Sequence, residues 1–533
     1  MFVSVAHHMR PSTFLATFAV IALLPPFCFA QDHPWELSNR TVNRILEQGT
    51  WGPTLTPPAT LQKKGLQAWF IEQVGAPIST YPDQPLLNAD GTNNNNLQPV
   101  QVALFQNALN GQDQLRQRVA FALSEIWVVS ESGGVNYAAA FPPLFNIFQN
   151  DAFANYEQIM KDVTLNPAMG RFLNMVNNDK GNPAKGTSAN ENYGREIMQL
   201  FTLGLTQLKM DGSPVLDSNG NPAPTYTPST VTAVSKAFTG WTYPPQPGTV
   251  TKGHNPINYI GAMAPVESNH DTSAKDLFPG FTLPAGQTAE QDLDGAIHAL
   301  FMQPSLPPFV SKQLIQHLTT SDPSPGYIQR VASVFVDNGS GVRGDMQSVI
   351  YAILSDPEAR AGDNPWLPVS SGYGHMREPV LFILNLLRGL GGAVSSASTV
   401  ANSASLLGQQ LFYAPSVFSF FSPEYRTPDG SLAPEFQLYS TQSAASRANL
   451  VNSAIYSGRF DAGTTFNLSS YITAASQPAS LVDLINTVFF HEAMSDSTRA
   501  AINQAMNAVT APSDKAKAAL YIALTSGEYQ IIH

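Results

Sequence analysis

The sequence predicts a mainly α protein: a large multi-helix domain with a small β-hairpin insert and long ordered loops. Three observations carry that prediction. Apolar residues recur every three or four positions in segment after segment, which is the helical period; Leu115, Val119, Leu123, Ile126 and Trp127 are the clearest stripe. A hairpin signal, Asn219-Gly220, stands between turn-rich runs. The stretch 242–290 is rich in Pro, Gly and Thr and shows little periodicity, as a loop should.

Composition narrows the class. Of 533 residues, 43% are hydrophobic, enough for a sizeable core, and only 13% are charged, about half the usual share. A net charge of −11 with scattered Lys and Arg argues against nucleic acid as a partner. Residues 1–30 read as a signal peptide: Arg10, an apolar run over 13–24, and Cys28-Phe29-Ala30 before Gln31. Cleavage is expected after Ala30, the alternative being a retained anchor; Pro26 and Phe27 do not make a lipobox before Cys28. Cys28 is the sole cysteine, so the mature chain, expected to run as one domain over 31–533, has no disulfide, thiol nucleophile or thiolate metal site. No later run reaches the roughly 18 apolar residues of a membrane span.

In chain order, helices are expected over 41–48, 61–74, 113–129, 153–162 and 167–175. Arg116 and Gln117 lie off the stripe of the third, so they face elsewhere. The runs 81–98 and 177–188 read as polar loops. After the central stretch described next, helices resume over 292–301, 308–318, 327–337, 345–354 and 380–390, the last opened by Arg377-Glu378-Pro379. Residues 391–407 read as small and flexible. The run 411–425 is aromatic-rich, and core packing is the expectation for it over a sugar-binding surface. Helices over 481–490, 498–508 and 513–525 close the chain.

The densest set of paired charges lies in NENYGREIMQLFTLG, from Asn190 to Gly204. Asn190 suits an N-cap and Gly204 a C-cap. Tyr193, Ile197, Leu200 and Phe201 form an apolar stripe; the opposite face carries Asn192, Arg195, Glu196 and Gln199. Glu191 and Arg195 are placed to pair at i,i+4. Three readings of that face stand open: a solvated ion pair, a buried polar network, or a ligand or catalytic face. Glu191 and Glu196 point about 140° apart, so a two-carboxylate hydrolase would need a partner from another segment. A hairpin near 210–226 follows, then a helix from Pro228 whose stripe ends at Trp241. The loop beyond holds His270-Asp271 and Lys275. The catalytic candidates are therefore Glu196, Arg195, His270 and Asp271, and the ligand-binding candidates Asn192, Gln199, Lys275 and Trp241. HExxH, G-x-S-x-G, P-loop and Rossmann patterns are missing, and no metal or cofactor is expected.

Several long blocks resemble the bacterial domain of unknown function 1800 family (DUF 1800). They are ILEQGTWGPT from Ile45, DQLRQRVAFALSEIWVVS from Asp113, NENYGREIMQLFTLG, AFTGW, the His270-Asp271 loop, GDMQSVIYAIL from Gly344, REPV from Arg377, APSVFSFFSPEY from Ala414 and APEFQ from Ala433. The resemblance implies an exported, mostly helical protein, periplasmic or extracellular. It supplies no catalytic residues. It also implies a possible exported partner of sulfatase/phosphatase-like character (domain of unknown function 1501). Relatives usually carry Ala or another helix former where this chain has Gly194, so a close backbone contact is expected there. Two functions follow as expectations: a binding or assembly component at the cell envelope, or a hydrolase acting on an envelope or extracellular polymer.

Overall fold

A computed structural model describes residues 36–366 and 372–533; the expected leader, 1–30, lies outside them. Twenty-one α-helices dominate the secondary structure of the described residues, with eight short 3-10 or π-helical segments and four two-stranded antiparallel ladders. The fold is mainly α, as the periodicity requires. No described helix is long and apolar enough to cross a membrane.

The helix Gln114–Ile126 runs through the middle of the core. It packs against Phe141–Asp151, Leu306–Leu318, Ala59–Val74 and Asn39–Gly49. Leu115, Val119 and Leu123 are fully buried, and Trp127, just past the helix end, stacks on Phe201 at 4.4 Å between ring centroids. Arg116 and Gln117 lie off that stripe, as expected, but they do not reach solvent. Arg116, Gln117 and Arg118 are also buried, because neighbours surround this helix on every side. Arg116 survives burial by donating to the carbonyls of Gln149 and Val74 at 2.8 and 3.0 Å and by lying over the Phe153 ring.

The central stretch begins its helix at Asn192, where Asn190 Oδ1 accepts from the Asn192 N–H. After Glu196 the helix widens into a π-helical turn, Ile197–Thr202, and ends where Gly204 takes φ +71°. Gly194 lies against the helix Pro228–Ala237. A Cβ there would stand 3.1 Å from Ser235 Cα and closer still to its hydroxyl, which is the close backbone approach expected of this glycine.

The arm over 206–224 is held by single bridges, Thr206 to Pro224, Leu208 to Pro214 and Leu216 to Pro222, with no regular strand. Prolines on the partner side withhold the N–H groups that a longer ladder needs. The loop over 242–290 contains a strand, Lys275–Phe278, paired with Phe281–Leu283. The helices Gln98–Asn110, Phe141–Asp151, Ala401–Leu406 and Thr441–Asn452 were not expected. The first and last mix amides, small residues and apolar residues with little contrast between faces, so periodicity marks them weakly.

Candidate functional site

Three buried charged clusters lie in the core, and they differ in how their charges are matched. The first is His270–Asp292–Lys275. His270 Nε2 stands 2.9 Å from Asp292 Oδ2, Nδ1 stands 2.9 Å from the Thr239 carbonyl, and Lys275 Nζ reaches the same carboxylate oxygen. All three side chains are sealed from solvent. Asp271 turns away and caps its own loop, accepting from the Ser273 N–H at 2.9 Å. This cluster ties the loop to the helix Ala289–Phe301.

The second is Glu47–Arg377. Arg377 Nε donates to Glu47 Oε1 at 2.8 Å, and Asn385 Nδ2 donates to Oε2 at 3.0 Å. Tyr529 holds the Asn385 amide by donating to its oxygen at 2.7 Å, and His491 Nε2 stands 3.4 Å from Glu47 Oε2. Burial alone would raise the Glu47 carboxyl. The Arg377 guanidinium and His491 outweigh burial and hold it at about 2.

The third combines Glu125, from the last turn of Gln114–Ile126, with His317, from the last turn of Leu306–Leu318, and Glu378, the residue before Pro379–Gly389. One side-chain amide holds the two carboxylates: Gln409 Nε2 donates to Glu125 Oε1 at 2.9 Å and to Glu378 Oε2 at 2.6 Å. The Val380 N–H, donating to Gln409 Oε1 at 2.8 Å, fixes that amide's orientation. His317 Nδ1 lies 3.4 Å from Glu125 Oε2, yet that oxygen is buried and makes no hydrogen bond. Arg118 donates through Nη2 to the His317 carbonyl, while its buried Nε and Nη1 find no partner. Burial, opposed in part by the side chain of Glu378, by Arg118 and by Gln409, pushes the Glu125 carboxyl up to about 7. Burial and the neighbouring Glu125 push Glu378 up to about 8. Burial lowers His317. A third acid, Glu435, stands nearby, accepting from the Ser321 hydroxyl at 2.8 Å with His375 Nδ1 3.6 Å away.

This third cluster opens to a cavity of about 380 Å³ whose wall includes Glu125 and His317. Phe309, Phe418 and Phe421 supply apolar wall, and Gln199 and Gln313 supply amides. Buried Ser419, also in the wall, sits at φ +62°. A non-glycine residue held there costs on the order of 1–3 kcal/mol. Part of the aromatic-rich run over 411–425 packs into the core, as Phe412 does, and part faces the cavity, as Phe421 does and as Phe418 does at 44% exposure.

The residues singled out from sequence are placed as follows. Arg195 is exposed and pairs with Glu191 at 3.2 Å, so it does not join a buried network. Glu196 is half-buried, with Oε2 unpartnered and its carboxyl raised by burial. Asn192 donates to Asn174 Oδ1 at 3.2 Å. Trp241 is buried on a two-residue strand with its Nε1 unpartnered. His270 and Lys275 meet on Asp292. Among the described residues, no hydrogen bond or ion pair joins Arg195 or Glu196 to His270 or Asp271. Gln199 alone of the eight lines the main cavity, delivered there by the π-helical turn. Sequence reasoning missed Glu125, Glu378, His317, Arg118 and Gln409 as site residues. Glu125 does carry a signal: it is the one charge in the largely apolar run over 119–129 of a charge-poor chain.

The family model described as protein of unknown function (DUF1800) matches residues 44–531, nearly the whole chain. The chain belongs to DUF1800. No curated protein and no solved structure matches it. Membership of DUF1800 thus brings a fold-length match and no assigned chemistry, and the site must be read from its own geometry.

Proposed function

We propose that this DUF1800 protein is an exported hydrolase acting at the cell envelope, with Glu125, Glu378 and His317 as its working groups. One observation carries the reading. Glu125 and His317 line a cavity large enough for a small ligand or one unit of a polymer, and the Glu378 carboxylate, from a third segment, stands buried beside them. The carboxylates share one amide donor, so they stand side by side. No sugar ring fits between them, which argues against the flanking-pair geometry of glycosidases. Side-by-side carboxylates with an adjacent imidazole suit activation of a water molecule, with Arg118 offsetting the charge that develops. Export rests on the basic start, apolar core and small-residue exit of residues 1–30.

The test is a panel of chromogenic carboxylic, phosphate and sulfate esters and peptide amides, offered to wild type, Glu125→Gln and Glu196→Gln. The expected result is turnover in wild type that falls by about 10²-fold or more in Glu125→Gln and persists in Glu196→Gln. Equal turnover in wild type and Glu125→Gln would remove the hydrolase reading from this cavity. The binding-or-assembly reading draws on the exposed Glu191–Arg195 face beside a separate cavity of about 230 Å³ lined by Glu191, Lys236 and Asp271. Loss of envelope-polymer binding in Arg195→Ala, with no turnover in wild type, would favour it.

A further inference from the structure

Glu125, His317 and Glu378 each offer one ligand atom, and these three atoms lie within 4.8 Å of one another. We propose that they hold one divalent transition-metal cation of the zinc or manganese kind, open to the cavity on its remaining side. The inference rests on the hydrolase reading of the same site and deepens it by naming the cofactor.

The first argument is ligand geometry. Glu125 Oε2 and His317 Nδ1 are 3.4 Å apart. Two ligands about 2.0–2.2 Å from one zinc in tetrahedral array stand at about that separation. Two carboxylates and one imidazole leave a coordination position free, the pattern of catalytic sites with three protein ligands. The second argument is the vacant valence. Glu125 Oε2 belongs to a side chain only 3% exposed and has no hydrogen-bond partner. A buried carboxylate oxygen with no donor is costly, and this one faces the imidazole nitrogen across the gap that a cation would fill. The His317 ring makes its 3.4 Å approach, of Nδ1 to Glu125 Oε2, across the same gap.

The third argument is charge. Glu125, Glu378 and Glu435 are buried together beside Arg118, so acids outnumber bases in a volume shielded from water. A divalent cation supplies the opposite charge that lets such carboxylates stay ionised there. Arg377 does not help, because it is committed to Glu47 and to the carbonyls of Tyr529 and Ile531. Outer-sphere support is already built. Gln409 donates to both carboxylates and takes its own orientation from the Val380 N–H, and the Arg118 guanidinium is anchored on the His317 carbonyl. Such contacts fix which carboxylate oxygen points at the metal.

The experiment uses the full chain, stripped with a chelator, dialysed and titrated separately with Zn²⁺ and Mn²⁺ by calorimetry. Thermal melts and the visible spectrum of a Co²⁺-loaded sample provide independent readouts. The expected result is one equivalent bound per chain, a raised Tm, and affinity weakened at least ~10-fold in both Glu125→Gln and His317→Ala. Far-UV circular dichroism establishes that each variant is folded. His298→Ala, which removes an exposed pair with Glu157, should bind like wild type. Gln409→Leu should weaken binding less than His317→Ala and shift the Co²⁺ bands. No stoichiometric binding by wild type, or wild-type affinity in both folded ligand variants, overturns the site. The two proposals fail separately. Turnover in stripped protein that needs Glu125 and ignores added metal overturns the cation and keeps the hydrolase. Stoichiometric metal without turnover of any panel substrate keeps the cation and overturns the hydrolase.

Discussion

Arg377 and Glu378 are consecutive residues, yet they serve two different kinds of cluster. Arg377 reaches Glu47, where guanidinium, amide and imidazole surround one carboxylate. Glu378 reaches Glu125, where two carboxylates share one amide and an oxygen is left bare. Burial is the same on both sides, at 1% exposure for each of the two residues. Unpartnered buried atoms occur on both sides, Arg377 Nη2 and His491 Nε2 on one and Glu125 Oε2 on the other; what differs is the match of charge. The Glu47 side is charge-matched and its acid is held low at about 2; the Glu125 side is acid-rich and its acids are pushed up to about 7 and 8. A charge-matched cluster reinforces the fold, whereas an acid-rich one beside a cavity is suited to a ligand.

That contrast can be broken by mutation. The largest effect is expected for Arg377→Ala, which strands the buried Glu47 carboxylate and should cost about 3–5 kcal/mol in denaturant melts. A loss below about 1 kcal/mol would mean that Glu47 is not held by charge. Acid should reveal the same pair. The Glu47 carboxyl has a folded pKa below its ordinary value of 4.5. Its stabilisation is therefore complete above about pH 4.5 and lost as pH falls toward about 2. Arg377, Asn385 and His491 face it, with Tyr529 behind. The stability gap between wild type and Glu47→Gln should narrow over that window; a gap constant from pH 6 to 3 would contradict the assignment.

Gly194→Ala comes next. The added methyl meets Ser235 on the neighbouring helix, and overpacking of this kind costs about 1–3 kcal/mol. A stabilised variant would mean that the two helices separate freely. The smallest effect belongs to Arg195→Ala. Its partner lies one turn away and both side chains are more than a third exposed, so the loss should be about 0.3–0.5 kcal/mol and should fade in salt.

Much of the architecture was legible in the sequence because helical periodicity is a local signal. The stripe Leu115, Val119, Leu123 lies in the core, and Gly194 and Gly204 occupy the backbone situations their residue type suggests. The site was less legible because its parts are distant. Glu125, His317, Glu378 and Gln409 come from four segments, and nothing local announces their convergence. Attention went instead to charges that are neighbours in sequence, Glu191, Arg195 and Glu196, and sequence neighbours on one short helix are often a solvated pair. His270 and Asp271 illustrate the same hazard, since His270 uses Asp292 as its partner, 22 residues on. Arg118 and Glu125 sit in a helix whose every face is covered, which an amphipathic reading cannot represent.

The most direct test sets the two acids side by side: Glu47→Gln and Glu125→Gln, each unfolded in urea at pH 7 without added metal. Both changes remove one carboxylate and keep its shape. The account predicts that Glu47→Gln loses about 3–5 kcal/mol, because Arg377 is left unpaired. It predicts that Glu125→Gln melts within about 0.5 kcal/mol of wild type or above it, because a bare buried acid oxygen in a functional site costs stability. Equal losses in the two variants would show that Glu125 is a structural acid like Glu47, and the cavity would lose its claim to be the working site.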